Sequence, residues 1–193
     1  MEERNAIISI VGRPNVGKST LTNAMTGEKV SIISNKPQTT RSRITGIVCR
    51  EGTQFILMDT PGFHRARNRL GEFMTKQVRT SISGADAAVL VVEPIPEVGK
   101  QEKVLIEHIK SCKIKTVLAI NKIDLVEKGV ILSTIAAYSS YHDFEAIIPI
   151  SAKSGDGIDS LFAVLDNFSN AGSHLFPDEM YTDQAEKYIC AEI

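Results

Sequence analysis

The strongest restriction on the fold comes from residues 12–19, Gly-Arg-Pro-Asn-Val-Gly-Lys-Ser, which directly follow the apolar run 6–11. They match the pattern G-x-x-x-x-G-K-[ST] and precede a segment, 20–25, that suits a helix. Two glycines let such a loop curl, so that backbone N–H groups converge on phosphate oxygens at a helix N-terminus. The stretch predicts a strand, a phosphate-binding loop and a helix, in that order.

Side chains at the end of this loop are predicted to bind phosphate and metal. Lys18 supplies a cation to the β- and γ-phosphates, and the Ser19 hydroxyl is a ligand for Mg²⁺. A glycine-bearing turn with an exposed lysine is the alternative, but it does not explain the position between a strand and a helix. The sequence therefore predicts a nucleoside triphosphate site. Its candidate residues are Gly12, Arg13, Pro14, Asn15, Val16, Gly17, Lys18, Ser19 and Thr20.

Short apolar runs alternate with helical patterns along the chain. Near-continuous Ile, Val and Leu runs are typical of strands buried on both faces of a parallel sheet, and they lie at 6–11, 55–58, 87–92, 116–120 and 146–150. A sixth strand candidate, 45–51, is predicted to form an antiparallel hairpin with 55–58. Amphipathic helices are predicted at 71–82, 99–112 and 157–169. The alternation predicts the α/β, three-layer fold of P-loop NTPases, with a mixed, mostly parallel six-stranded sheet and helices on both faces.

Composition excludes several other classes of protein. The 193 residues are 42% hydrophobic and 23% charged, the balance of a soluble globular chain, and no run approaches the ~18 apolar residues that span a bilayer. The three cysteines, Cys49, Cys112 and Cys190, form no C-x-x-C pair, and the four histidines show no ligand spacing. These spacings argue against disulfides and a structural zinc site, and they favour a reducing, cytoplasmic compartment.

Charge is distributed unevenly between the two parts of the chain. Residues 1–79 hold 13 basic against 6 acidic side chains, whereas residues 80–193 hold 9 against 17. Chance segregation of surface charge and an N-terminal half that faces phosphate both account for this split, so the motifs must decide between them.

Two motifs at predicted strand ends resemble the base-recognition loops of the GTPase superfamily: Asn-Lys-Ile-Asp at 121–124 and Ser-Ala-Lys at 151–153. A carboxylate at Asp124 accepts two hydrogen bonds from the N1–H and amino group of guanine, which adenine cannot supply. Together and in this order, the motifs predict GTP rather than ATP. The residues assigned to the base and its loops are Asn121, Lys122, Asp124, Ser151, Ala152 and Lys153.

The same resemblance implies ligands for the metal and the γ-phosphate. Asp59 begins Asp-Thr-Pro-Gly, and in the superfamily this aspartate holds Mg²⁺ through water while the glycine N–H, here Gly62, meets the γ-phosphate. A magnesium-binding threonine is expected in Gln-Thr-Thr-Arg at 38–41, where Thr40 is favoured over Thr39; two threonines that start a strand are the alternative. The implied catalytic residues are Lys18, Thr40, Asp59 and Gly62, and the implied Mg²⁺ ligands are Ser19, Thr40 and Asp59.

These motifs, with Leu-Gly-Glu-Phe-Met at 70–74, resemble the Era family of bacterial GTPases over essentially the whole chain, although Ala66 stands where proline is common. The resemblance implies a GTP/GDP switch that needs Mg²⁺ and acts in small ribosomal subunit assembly and rRNA maturation. It implies contact with the subunit and its rRNA through a KH domain that is nearly all absent here, and little RNA binding by this chain alone. The expected location is the cytoplasm, with or without peripheral association at the inner face of the membrane.

Domain boundaries are predicted from the same resemblance. Residues 1–170 form the GTPase domain, 171–182 a linker rich in breakers, and 183–193 the start of a truncated KH-domain helix. A terminal helix that packs on the GTPase domain is the alternative for 183–193.

Two residues bear on the rate of hydrolysis. Phe63 occupies the place of the water-orienting glutamine of many small GTPases, so intrinsic hydrolysis is expected to be slow. Asn15 matches the asparagine that holds K⁺ in potassium-stimulated relatives, but a loop asparagine also forms turns well, and both roles stay open.

A slow regulated switch is favoured over a fast enzyme and over a binding module with negligible hydrolysis. A GTPase of another ribosome-assembly or tRNA-modification branch also stays open.

Overall fold

The computed structural model of the chain describes residues 3–30, 44–59, 82 and 84–182. The predicted helix at 71–82, except for Ile82, and the terminal segment 183–193 lie outside the described residues. The described strands and helices are, in chain order, β1 (Arg4–Gly12), α1 (Lys18–Thr26), β2 (Ile44–Arg50), β3 (Thr53–Asp59), β4 (Ala87–Val92), α2 (Lys100–Cys112), β5 (Lys115–Ile120), α3 (Lys128–Ser139), β6 (Ala146–Pro149), α4 (Ile158–Leu165) and β7 (Asn170–Ala171).

The strands form one mixed sheet in the order β2-β3-β1-β4-β5-β6. The hairpin β2–β3 is antiparallel, whereas β1 pairs in parallel with β3 and β4, and β5 pairs in parallel with β4 and β6. This confirms the predicted mixed, mostly parallel α/β sheet. A two-residue strand that was not predicted, β7, adds an antiparallel pair to the start of β1. Since β1 has β3 on one side and β4 on the other, connections diverge at its carboxyl end, which is where α/β sheets bind ligands.

The sheet is buried on both faces, as the apolar runs predicted. All six side chains of β4 are buried, and from Val89 to Val92 they alternate between two hydrophobic clusters. Val89 and Val91 belong to the cluster that includes Leu21 of α1 and Phe162 of α4. Leu90 and Val92 belong to the cluster that includes side chains of α2 and α3. Helices therefore cover both faces of the sheet. A binding site can form at the ends of the strands, which the helices leave open.

Helix α3 was missed by the sequence analysis because its apolar residues do not form one stripe. The helix carries Val130, Ile131, Leu132 and Ile135, yet only Thr134 and Tyr138 are buried, and Leu132 is 66% exposed. A helix with apolar side chains all round gives no periodic signal.

The segment 173–182, which was predicted as linker, lies along the β2–β3 hairpin. Gln54 of β3 is fully buried, and its side chain accepts hydrogen bonds from the backbone N–H groups of Leu175 (2.8 Å) and Phe176 (3.0 Å). The N–H of Ile47 on β2 donates to the carbonyl of Tyr181 at 2.8 Å. These bonds hold the segment against the edge of the sheet. Among the described residues, no helix is both long and apolar enough to cross a membrane.

Candidate nucleotide-binding site

The loop between β1 and α1 is shaped by two glycines that stand in close contact with other parts of the chain. A Cβ at Gly12 would lie 2.5 Å from the carbonyl oxygen of Val91 at the end of β4. A Cβ at Gly17 would overlap the side-chain amide of Asn121, and Gly17 has a left-handed φ of 98°. Both positions exclude larger residues because neighbouring backbone and side-chain groups already fill the space.

Lys18 begins α1, and its side chain folds back over the loop. The residue is buried, with 6% of its surface exposed, and its Nζ donates to the carbonyl oxygen of Arg13 at 2.9 Å. An ammonium group held in this way lies at the N-terminus of a helix, where backbone N–H groups also favour anions. The loop is thus built to take a phosphate group between the helix N-terminus and a fixed cation.

Asn121, which directly follows β5, joins the phosphate loop to the loop after β6. Its Nδ2 donates to the carbonyl of Val16 at 2.9 Å, and its Oδ1 accepts the N–H of Ala152 at 2.9 Å. The side chain is 2% exposed, so both bonds are shielded from water. Breaking either bond would leave a buried polar atom without a partner, which costs about 1–3 kcal/mol of folding free energy. The two bonds therefore fix the two loops relative to each other.

Asp124 lies on a 3₁₀ turn, Ile123–Leu125, beside a cavity of about 400 Å³. Its Oδ1 accepts a hydrogen bond from the Ser151 hydroxyl at 2.7 Å, which orients the carboxylate. Gly17 and Thr20 form the phosphate-loop side of the cavity. The remaining lining residues are Asn121, Lys122, Asp124, Leu125, Ala152 and Lys153. A carboxylate in a cavity of this size can accept hydrogen bonds from a base with two adjacent donors.

Behind the loop, charged side chains form a network. The Nε of Arg13 pairs with the buried carboxylate of Glu102 on α2. The Nη2 of Arg13 lies 3.5 Å from a carboxylate oxygen of Glu93. Glu93 also pairs with Lys122 at 2.5 Å, and the Lys122 ammonium donates to the carbonyl of Asn15 at 2.8 Å. These contacts connect the phosphate loop to the Asn-Lys-Ile-Asp motif a second time, in addition to the bond from Asn121 to Val16.

Tyr138 of α3 lies close enough to this network to be affected by it. Burial, and to a lesser degree the negative charge of Glu102, raise the pKa of the Tyr138 hydroxyl well above its usual range, so the phenol stays protonated.

Neither Glu93 nor Glu102 was nominated by the sequence analysis. Glu93 directly follows β4, and a carboxylate at the carboxyl end of a buried strand is the signal that could have identified it. Glu102 is the acidic residue in the first turn of α2, a common place for one, and its burial is visible only in the structure.

The predicted metal and γ-phosphate ligands are described in part. Ser19 lies in the first turn of α1, and Asp59 ends β3 opposite Ile10 of the adjacent β1. The side chain of Asp59 and the whole of Thr40 and Gly62 lie outside the described residues. A hydroxyl and a carboxylate are the oxygen ligands that Mg²⁺ prefers, so the residue types fit the metal.

The chain is a P-loop nucleotide-binding protein, because its phosphate loop lies between a strand and a helix, carries a buried lysine and is next to the Asn-Lys-Ile-Asp motif. Residues 7–122 match the family described as 50S ribosome-binding GTPase. The chain belongs to this family of GTPases.

Related sequences and related crystal structures both agree with the predicted resemblance to Era. The chain is 42% identical to GTPase Era of Ruminiclostridium cellulolyticum over 193 residues, which is all of this chain and 65% of the relative. It is similar to the crystal structure of Era in complex with MgGDPNP and nucleotides 1506–1542 of 16S ribosomal RNA, with a TM-score of 0.93 and 33% identity over 98% of this chain and 65% of that one. A variant of Aquifex aeolicus Era bound to GDP·AlF₄⁻ has a TM-score of 0.91, with the same identity and the same shares covered. The chain thus spans about 65% of the length of these relatives, and the resemblance to Era is confirmed.

Proposed function

We propose that this chain binds GTP with Mg²⁺, hydrolyses it slowly, and acts as a nucleotide-dependent switch in the assembly of the small ribosomal subunit. The observation that carries the proposal is the bridge made by Asn121. This bridge holds the phosphate loop and the Ser-Ala-Lys loop together around the cavity in which Asp124 lies. A triphosphate and a guanine base can therefore be bound at the same time by one preformed cleft.

The predicted catalytic and metal-binding residues each have a role in the proposed reaction, in which water attacks the γ-phosphorus in line with the leaving GDP oxygen. Lys18 stabilises negative charge on the β- and γ-phosphates, and loop N–H groups share that charge. Ser19, Thr40 and, through water, Asp59 would hold Mg²⁺, which would neutralise phosphate charge. The N–H of Gly62 would contact the γ-phosphate. The bound state of Aquifex aeolicus Era, GDP·AlF₄⁻, supports hydrolysis in this family.

The choice of subunit rests on the relative in complex with RNA. The family description refers to the 50S subunit, whereas the RNA bound to the Era relative belongs to 16S rRNA. The Era relative matches 98% of this chain and the family match covers residues 7–122, so the small subunit is the better supported partner. The chain alone is expected to bind RNA weakly, since its net charge is −1 and residues 172–193 hold one lysine against five acidic side chains.

Hydrolysis is expected to be slow in the chain alone and faster with its partner. Single-turnover GTP hydrolysis should run below about 10⁻² s⁻¹, because Phe63 cannot position water. Purified small subunits, added at concentrations high enough to offset the weak RNA binding of this chain, should raise the rate roughly tenfold or more if they complete the positioning of that water. Large subunits are the matched control. Stimulation by large subunits only would overturn the small-subunit assignment, and fast hydrolysis without subunits would show an autonomous enzyme.

Potassium stimulation through Asn15 is part of the same proposal. Asn15 is exposed in the phosphate loop and has a left-handed φ of 65°, which also suits a turn residue. Hydrolysis is expected to be roughly 10- to 100-fold faster in K⁺ than in Na⁺, because a fixed cation stabilises the developing charge. Asn15→Gly keeps the backbone conformation accessible and removes the amide, so it should bind GTP but lose the K⁺ effect. Equal rates of the wild type in both salts would leave Asn15 with the turn role alone.

A further inference from the structure

Three side chains that can bind a metal meet at the β2–β3 hairpin, at the edge of the sheet opposite the phosphate loop. Cys49 lies on β2, and His174 and Asp178 lie on the segment 173–182. One ligand atom of each lies within 4.8 Å of the other two. The Cys49 thiol donates to Asp178 Oδ1 at 3.4 Å, and the same oxygen lies 2.5 Å from His174 Nδ1.

The imidazole of His174 is oriented as metal-binding histidines are. Its Nε2 lies 3.2 Å from the carbonyl oxygen of Gly52 in the hairpin turn, and only an N–H on Nε2 can form that hydrogen bond. Nδ1 is therefore the nitrogen that faces the other two side chains. Without a metal it donates to Asp178, a hydrogen bond that raises the pKa of His174, and Nδ1 offers its lone pair to a metal once that proton has left. A histidine whose second nitrogen donates to a backbone carbonyl is the usual arrangement around a protein-bound metal.

The two parts of the chain that carry these side chains are fixed by Gln54. Its Nε2 donates to the carbonyl of Phe176 at 2.8 Å, in addition to the two bonds that its Oε1 accepts from the same segment. The same Nε2 lies 3.5 Å from the sulfur of Cys49. One buried side chain thus positions the backbone next to His174 and also contacts the sulfur, so two of the three ligands are held by a rigid frame.

We propose that Cys49, His174 and Asp178 bind one Zn²⁺, with water as the fourth ligand. Sulfur, imidazole nitrogen and carboxylate oxygen are the three donor types of protein zinc sites. A tetrahedral site places sulfur and nitrogen ligands about 3.5 Å apart. Asp178, with 65% of its side chain exposed, can rotate to make room for the ion. A bound zinc would fasten the segment 173–182 to the hairpin.

Binding releases two protons in this arrangement. The Cys49 S–H bond breaks as the sulfur–zinc bond forms, the His174 Nδ1–H bond breaks as the nitrogen–zinc bond forms, and both protons leave to solvent, so the metal affinity is expected to rise with pH. The competing arrangement is a proton, rather than a metal, between His174 and Asp178, and only a metal titration distinguishes the two.

Cobalt(II) provides the test because its bond to a thiolate produces a charge-transfer band in the near ultraviolet. The chain, freed of metal with a chelator, should bind one Co²⁺ with this band and with the visible spectrum of a tetrahedral site. One equivalent of Zn²⁺ should then remove both signals. Cys49→Ser should abolish the thiolate band, and His174→Ala should weaken cobalt binding while far-ultraviolet circular dichroism stays unchanged.

The matched control is the double variant Cys112→Ser/Cys190→Ser, which retains Cys49 as the single thiol and should give the same spectrum as the wild type. Absence of the band at stoichiometric cobalt in the wild type overturns the proposal. A band that persists in Cys49→Ser and disappears in the double variant overturns it as well. Because the readout does not use nucleotide, either result leaves the proposed GTPase function unaffected.

Discussion

Replacing Asp124 with asparagine is expected to shift the nucleotide preference of this chain from GTP to XTP. The Asp124 carboxylate, oriented by the Ser151 hydroxyl at 2.7 Å, can only accept hydrogen bonds, and guanine offers it two donors. An amide offers one acceptor and one donor, which matches xanthine, where a carbonyl replaces the amino group. With guanine, one charged hydrogen bond is lost, because two donors then face each other, and the other becomes a weaker neutral bond. At about 2 kcal/mol for each change, this predicts a ~10³-fold fall in GTP affinity. Isothermal titration calorimetry with GTP and with XTP measures the two affinities and so the change in preference.

Asp143→Asn is the matched control for this experiment. Asp143 is exposed in the loop that precedes β6, at the opposite edge of the sheet from the cavity, and the substitution removes the same charge. It should leave both affinities unchanged. If Asp124→Asn bound GTP as tightly as the wild type, or lost affinity for both nucleotides equally, Asp124 would not be the residue that recognises the base.

Gly17→Ala is expected to abolish tight nucleotide binding by separating two loops. The new methyl group would occupy the position of the Asn121 Nδ2, which cannot move away without losing its hydrogen bond to Val16. The left-handed φ of 98° adds strain for any residue with a Cβ. Strain and one lost buried hydrogen bond, at about 2 kcal/mol each, predict a ~10³-fold weaker GTP affinity.

Gly27→Ala separates backbone strain from the steric overlap. Gly27 also has a left-handed φ, 74°, but no atom lies within 4 Å of the position that its Cβ would occupy. This variant should lower the free energy of unfolding by about 1 kcal/mol and leave GTP affinity unchanged. Nearly equal GTP affinities for the two variants would show that the contact between Gly17 and Asn121 does not shape the site. Denaturant unfolding and calorimetry on both variants give the comparison.

The parts of the fold that could be predicted are those in which one short stretch of sequence carries the whole signal. Five buried strands were visible as apolar runs, and the phosphate loop was visible because its two glycines and its lysine are neighbours in sequence. The loops after β5 and β6 could be placed near it because the carboxyl ends of parallel strands share one edge of the sheet. Fold and candidate cleft followed from these local signals.

Features that depend on side chains distant in sequence could not be predicted. The pairing of Arg13 with Glu102 joins a loop to a helix, and neither residue type indicates the other. The spacing of cysteines and histidines argued against a zinc site, yet the structure brings Cys49 next to His174 and Asp178. Spacing rules find ligands that share one loop or helix, whereas these ligands meet because a segment read as linker lies along the hairpin.

The double attachment of the Asn121 amide has a consequence for how a purine enters the cleft. Both of its polar atoms are satisfied by the protein itself, so the base end is assembled before any nucleotide arrives. The entropy cost of ordering these loops is met during folding and does not weaken association. The purine therefore enters a preformed base site, and nucleotide exchange does not require a conformational step that builds this site.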